Sequence, residues 1–388
     1  MRALTIARTH AQYVTNVVAL YMTFYPIEFY PAALRLYQPE GQPFGLFGWQ
    51  GIIPAKAGKM AEIMVELMTT KLIDIKDVFN RLDPKRMSEL LSDGAKDTMR
   101  KIVDEVGGMQ LPTLWSCVPD SVREELVFIL SRDTDRYVEG LMAELKRDIE
   151  NVMDLKHLVV TKALSRKEVV VDMFQQVGAK EFHFIRVSGF YFGFLFGIVQ
   201  SGVFYAYEAW WLLPVGGFIV GYITNYLALK VIFEPIEPIH ICGYALQGLF
   251  LKRQDEVSVM FAKLSSEHFL RAHALWGEIL QGARFDAFKA LVERYTTDYI
   301  TRYLGASRIP AILLLGKDGL DAIALKMSEL IVADLPNSMP ASYAYTEEAM
   351  MIESTIDEKL RKLPPKEFEG VLHPGESLLS FFMGALLL

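Results

Sequence analysis

The sequence predicts an all-α integral membrane protein. Its expected plan is two parallel internal repeats, each a helical extramembrane lobe flanked by membrane helices, joined through a central transmembrane hairpin. Three observations carry this. Two long charge-free apolar runs meet at one acidic residue, a fourteen-residue segment recurs with eight identities, and nearly everything between has helical apolar periodicity. The chain has 388 residues, 52% hydrophobic and 22% charged, with a mean hydropathy of +0.21. That is too apolar for ordinary soluble domains and too charged for a fully embedded bundle. A net charge of -7 leaves no basic surplus to neutralise phosphates, which excludes nucleic acid as a partner. Cys117 and Cys242 lie far apart and form neither a disulfide framework nor a zinc spacing.

The apolar runs are Val187 to Tyr207 and Ala209 to Leu229, each of 21 residues, separated by Glu208. As helix each spans about 31 Å, enough for a hydrocarbon core of about 30 Å. A soluble core helix rarely stays apolar on every face for that length. Tyr205, Tyr207, Trp210 and Trp211 gather at the break, as an interfacial aromatic belt would at a tight hairpin. Lys180 and Arg186 precede the first run, and Lys230, Lys252 and Arg253 follow the second. The positive-inside bias therefore puts both flanks, and the lobes, on the inner side of a bacterial inner membrane or a mitochondrial or plastid one. Gly189, Gly193 and Gly197 in the first run, and Gly217 and Gly221 in the second, recur at four-residue spacing that lets helices approach closely.

Residues 15–28 read TNVVALYMTFYPIE and residues 224–237 read TNYLALKVIFEPIE. Downstream, Gln50-Gly51 recurs as Gln247-Gly248, each glutamine followed six residues later by a base, Lys56 or Arg253. Lys180-Glu181-Phe182 before the first run matches Lys366-Glu367-Phe368 before the apolar tail. The plan that follows is a membrane segment over 1–33, an apolar interfacial loop over 34–55, a helical lobe over 56–186 and a transmembrane hairpin over 187–233. A second interfacial loop over 234–253, a second lobe over 254–375 and the start of a membrane helix over 376–388 complete it. The outer pieces look short, so the natural chain is expected to extend beyond both ends. Each unit holds an even number of spans, which makes the repeats parallel.

Within the first lobe, Met60, Ile63, Met64, Leu67 and Met68 form one helical stripe, and Tyr137, Leu141, Leu145, Ile149 and Met153 another. Only Gly140 interrupts good helix formers from Ser121 to Ala163, so one arm of up to about 60 Å is expected, with a break near Asp154. The second lobe reads as helices over Glu256–Trp276, Ala283–Leu304, Ala311–Ala333 and Thr346–Leu363.

The stretches GYITNYLALKVIFEPIEP, QGLFLKR, GAKEFHFIRVSGFYFGFLFGIVQ and LPPKEFEGVLHP resemble the domain-of-unknown-function 445 family over nearly the whole chain. The resemblance implies a bacterial type of membrane protein with helical lobes between terminal and central membrane segments, and no defined activity. The family loop usually reads Gly-Leu-Ile-Pro and then two bases. Here the first copy has Pro54-Ala55-Lys56 and the second Leu251-Lys252-Arg253.

Chemistry is sparse. Seven histidines are scattered, and His268 and His273, five apart, sit about 140° apart around a helix. No metal-ligand spacing, nucleophile elbow or phosphate loop occurs, so neither catalysis nor a cofactor or metal is expected. The repeated Thr15-Asn16 and Thr224-Asn225 put amides in apolar surroundings, where they bond between helices or line a pathway. Lys56, Lys230, Lys252 and Arg253 are candidates for lipid headgroups. The first functional expectation is a non-catalytic membrane scaffold or assembly protein, such as an accessory subunit of a larger complex, with protein partners or copies of itself. The second is a lipid- or solute-handling protein with a groove or pathway at the repeat interface.

Overall fold

The computed structural model describes residues 2–32, 38, 41–110, 112–207, 209, 211–241, 244–305 and 308–369. The expected membrane segment at 376–388 lies outside them. The chain is helical almost throughout. It runs α1 (Arg2–Phe24), a two-residue strand pair β1 (Phe44–Gly45) and β2 (Gly48–Trp49), α2 (Ile52–Ala55), α3 (Ala57–Leu67), a π-turn over Met68–Leu72, α4 (Ile75–Asn80) and α5 (Pro84–Gln110). Then come α6 (Pro112–Trp115), α7 (Asp120–Ser131), α8 (Thr134–Arg147), α9 (Ile149–Val152), α10 (Leu155–Ser165) and α11 (Lys167–Val177). The long apolar pair α12 (Ala179–Ala206) and α13 (Leu212–Phe233) leads into the antiparallel strands β3 (Ile239–Ile241) and β4 (Tyr244–Leu246). The remainder is α14 (Gln254–His268), α15 (Ala272–Gln281), α16 (Phe285–Leu304), α17 (Arg308–Ser338), α18 (Tyr343–Met350), α19 (Ile352–Lys362) and α20 (Pro365–Glu369).

The chain divides into two compact units, and both draw on both halves of the sequence. One gathers 1–72, 159–268 and 353–388; the other gathers 73–158 and 269–352.

In the first unit α12 packs against both α1 and α13. α12 and the Val215–Phe233 part of α13 are long and apolar enough to cross a membrane, yet only 28% and 19% of their most apolar windows are buried. A soluble core helix of that composition would be buried, whereas these faces are mostly exposed, as membrane helices are. Phe190, Phe194, Leu195 and Ile198 on α12, and Phe218 and Ile219 on α13, stand outward.

The recurring segments make the same contacts in both places. The Gln50 amide donates to the Ile27 carbonyl at 2.6 Å, and the Gln247 amide to the Ile236 carbonyl at 3.1 Å. The Gly51 N–H donates to the Pro26 carbonyl at 2.8 Å, and that of Gly248 to Pro235 at 3.0 Å. The peptides before Pro26 and Pro235 are both cis. A Cβ on Gly51 would lie 2.7 Å from the Phe24 carbonyl carbon, and one on Gly248 2.7 Å from the Ile232 oxygen, so both sites need glycine for backbone approach. A strand pair precedes each glutamine.

The second unit packs α5 against α7, α8 and α17, and α16 against α8 and α17. Asp334 on α17 ties it to α5, accepting from Thr98 at 2.8 Å and Lys101 at 2.6 Å. Lys101, then the other donors, hold its carboxyl below the usual range against the opposing pull of burial.

The single arm expected from Ser121 to Ala163 is in fact four helices, α7 to α10, broken at Arg132-Asp133, Asp148 and Met153-Asp154. Local polar groups explain the breaks, because they offer the backbone other partners. Asp133 gives its carbonyl to the Tyr299 hydroxyl at 3.2 Å, and the Asp154 side chain accepts from the His157 N–H at 2.9 Å. The stripe still points inward, with Leu141, Leu145, Ile149 and Met153 all buried. Glu256–Trp276 likewise divides, at Phe269–Arg271, and Thr346–Leu363 divides at Met351, which has φ 50°.

Candidate functional site

The second unit encloses an apolar cavity of about 410 Å³. Its walls come from α5, α6, α7 and α8 of one sequence half and α15, α16 and α17 of the other. Well-packed interiors hold few voids larger than a water molecule. Ligand pockets run from about 300 to 1,000 Å³, so the volume suits one apolar chain.

The cavity has a closed end and an open end. Leu145, Trp276, Phe288 and Met339 line it at 2% exposure or less. At the other end Leu126 and Leu130 of α7 are each 37% exposed and Tyr303 of α16 is 53% exposed. At the closed end the Trp276 indole N–H donates to Thr346 at 3.2 Å, and its ring meets Phe79 edge-on at 5.9 Å. The polar atoms of the walls are mostly turned to protein partners. The Tyr137 hydroxyl pairs with Thr296 at 2.7 Å, and Thr296 donates onward to the Val292 carbonyl at 2.7 Å. Burial raises the Tyr137 phenol far above its usual pKa and raises that of Tyr299 too. These walls offer a ligand apolar surface and aromatic rings, with the Tyr137 and Tyr299 phenols held neutral by burial.

Arg123 lies beside the wall residue Trp115, its guanidinium 5.2 Å from the centre of the ring. One Nη donates to the Trp115 carbonyl at 2.8 Å.

The sequence-predicted residues lie in the first unit. Asn16, 1% exposed, donates to the Ile185 carbonyl at 2.8 Å. Gln12 donates to Thr224 at 2.9 Å, and Thr224 donates to the Gly221 carbonyl at 3.0 Å. Asn16 and Thr224 therefore act between and within helices, while Thr15 is on an exposed face, and the Asn225 side chain lies outside the described residues. Gly189, Gly193 and Gly197 are buried on α12. A Cβ on Gly189 would come within 2.6 Å of the Asn16 amide nitrogen. Gly221 has only the Gln12 amide near it, at 3.9 Å, and Gly217 faces open space. The close approach on α13 belongs to Gly216 instead, where the Gln200 amide occupies the Cβ position.

Of the four bases, Lys252 is exposed and Lys230 pairs with Glu234 at 3.4 Å. Lys56 is half-buried, and burial, then Lys59, lowers its pKa. Arg253 is committed inward. Its guanidinium reaches both oxygens of Glu181 at 2.6 and 2.8 Å and Glu256 at 3.0 Å. Burial opposes its charge, but Glu256 and Glu181 outweigh that and raise its pKa. A headgroup at Arg253 would have to displace a buried carboxylate, so the guanidinium is a strut between the start of α14 and α12. Glu367, which matches Glu181 in sequence, meets Lys71 instead, at 3.1 Å.

Among the described residues, no group of three or more histidine, cysteine and acidic side chains is placed to hold a metal. One carboxylate–histidine contact escaped the sequence reading, His157 Nδ1 to Glu278 at 2.9 Å, because its members are 121 residues apart. The cavity escaped it for the same reason. Of the tyrosines on α16, only Tyr299 and Tyr303 stand in the walls, and their four-residue spacing does not set them apart from core positions.

No family model matches the chain, and no solved structure matches it. It is similar to a UPF0754 membrane protein of Bacillus cytotoxicus, 26% identical over 173 residues, which are 41% of this chain and 42% of that one. A UPF0754 membrane protein of Bacillus cereus is 23% identical over 178 residues, 43% of each chain. One of Anoxybacillus flavithermus is 40% identical over 67 residues, 16% of this chain and 18% of its own. The relatives are bacterial membrane proteins. The chain spans less than half the length of the relatives it matches. With α12 and α13, these likenesses make it a helical membrane protein.

Proposed function

We propose that this is a non-catalytic integral membrane protein that binds an apolar chain, a lipid-handling protein, in the unit formed by 73–158 and 269–352. The single observation that carries this is the cavity of about 410 Å³, walled by aromatic and aliphatic side chains from both sequence halves and open at one end. Of the two functions expected from sequence, this favours lipid handling. The accompanying architecture is two parallel repeats of the domain-of-unknown-function 445 type, with α12 and α13 as a transmembrane hairpin and the cavity unit on the inner side of the membrane. The matched contacts at Gln50 and Gln247, and at Gly51 and Gly248, support the repeat.

The test is native mass spectrometry of the intact protein released from nanodiscs, beside Val138→Phe and Leu141→Phe, which fill the cavity. Retained single-chain apolar mass in the wild type, reduced in the filled variants, is the expected result. Wild-type protein that folds and carries no more apolar ligand than the variants would refute the reading.

A second reading keeps the scaffold role. Leu114 and Phe128, each 64% exposed, and Ile129, 48% exposed, put apolar surface on the outside of α6 and α7, where a protein partner or second copy would dock. Defined co-purifying subunits lost in Phe128→Asp would favour it.

A further inference from the structure

We infer that the two strand pairs of the first unit are membrane wedges, seated in the headgroup and upper acyl layer of one leaflet beside α1, α12 and α13. They lie in the unit that does not hold the cavity, so they stand or fall apart from it. Both hang from the same end of the helix group. α1 runs antiparallel to α12, because Asn16 meets Ile185 and Phe24 meets Phe182, ring centres 5.0 Å apart. α13 runs antiparallel to α12 as well, with Gly216 against Gln200, and from there similar lengths of helix lead to Phe233 and to Phe182. Phe24, Phe182 and Phe233 therefore share one level, beside Lys180 and Arg186. Gly51 ties β1 and β2 to the end of α1, and Gly248 ties β3 and β4 to the end of α13.

The surfaces of these strand pairs are made for lipid. β1 and β2 turn through Leu46 and Phe47, 63% and 59% exposed, where a two-residue turn in water takes Asn, Asp or Gly. Tyr30 pairs with Trp49 as a third strand, its exposed ring edge-on to the indole at 6.4 Å, and these two residue types gather at membrane interfaces. On β3 and β4 the facing pair Ile239 and Leu246 is exposed. Residues 41–55 carry no charge, and 238–251 carry none besides His240. The apolar faces of the helices run down to this surface through exposed Tyr21 on α1 and Val231 on α13, and the Val231 carbonyl accepts from the Leu249 N–H just after β4. The bilayer that covers the helices thus covers the strand pairs too. Apolar burial holds them, so a zwitterionic surface serves as well as an anionic one.

The experiment uses the intact chain, with Cys117 and Cys242 replaced by serine, in phosphatidylcholine nanodiscs. One nitroxide is placed at Phe47→Cys, Ile239→Cys, Phe194→Cys or Glu358→Cys. Phe194, exposed on α12, marks the acyl interior, and Glu358, exposed on the charged helix α19, marks water. Relaxation by oxygen reports lipid, and relaxation by a water-soluble nickel chelate reports water. The expected result is oxygen over nickel at Phe47 and Ile239, at like depths shallower than Phe194, with the reverse at Glu358 and no change on adding anionic lipid. Nickel over oxygen at Phe47 or Ile239 overturns the assignment. Protection from both reagents puts a partner protein or second copy on the strand pairs and overturns it too. Leu46→Asn with Phe47→Gly, a turn suited to water, should move a nitroxide at Tyr30→Cys from lipid toward water with the melting temperature kept. A Tyr30 label that stays in lipid removes the tip from the wedge. If that variant does not fold, the four single labels decide.

Discussion

Replacing Arg253 by methionine should cost far more than its position beside an exposed lysine suggests. Arg253 is 17% exposed and Glu181 6% exposed by side chain, with contacts at 2.6 and 2.8 Å. Removing the guanidinium strands a buried carboxylate, and breaking such pairs costs about 3–5 kcal/mol. Glu256 loses a partner as well, but it is solvated and keeps Lys180 at 2.7 Å, so its share is small. Replacing both partners, Glu181→Met with Arg253→Met, removes the stranded charge and should return most of the loss, since methionine fills similar volume. The assay is a double-mutant cycle on thermal unfolding of the intact protein in one detergent, with Lys252→Met as the exposed control. Arg253→Met should melt well below both the control and the double variant. If Arg253→Met equals Lys252→Met in stability and instead loses affinity for anionic lipid, the strut assignment is wrong and the headgroup role expected from sequence is right.

Three further outcomes follow from geometry. Gly189→Ala should destabilise by about 1–3 kcal/mol through overpacking against Asn16, whereas Gly217→Ala, facing open space, should leave the melting temperature unchanged; equal effects would refute the α1–α12 packing. Gly51→Ala and Gly248→Ala should each destabilise, because backbone lies 2.7 Å from either Cβ; tolerance at one and not the other, by the same melts, would break the equivalence of the two copies. Glu256, pulled down to about 2 from an ordinary 4.5 by Arg253 first and Lys180 next, should contribute stability that is full above pH 4.5 and fades as pH falls toward 2. The melting difference between wild type and Glu256→Gln should therefore be constant from pH 7 to 5 and shrink below; a difference that grows on acidification has the wrong sign.

What the sequence disclosed depended on whether the signal was local. The apolar runs could be read directly, because lipid demands about twenty apolar residues in a row and helices there satisfy their own backbone. The recurring glutamine–glycine pairs were legible as marks, and the contact each makes is a short-range one to the loop after a cis-proline. The break near Asp154 was legible, but those at Asp133 and Asp148 were not, since helix periodicity continues through them. Gly216 and Gly217 show the limit of spacing arguments. Both are glycine, and only the placement of Gln200 decides which one must be. The cavity was out of reach because its walls come from helices more than a hundred residues apart, and each wall residue alone resembles a core position.

The most direct measurement is an experimental density map of the intact protein in a lipid environment, with attention to the space between Trp276 and Trp115. The account predicts continuous density for an apolar chain in that space, with α5, α8, α16 and α17 held apart around it. A map in which those helices close on each other, and Leu141, Phe288 and Met327 fill the space with their own side chains, would contradict it.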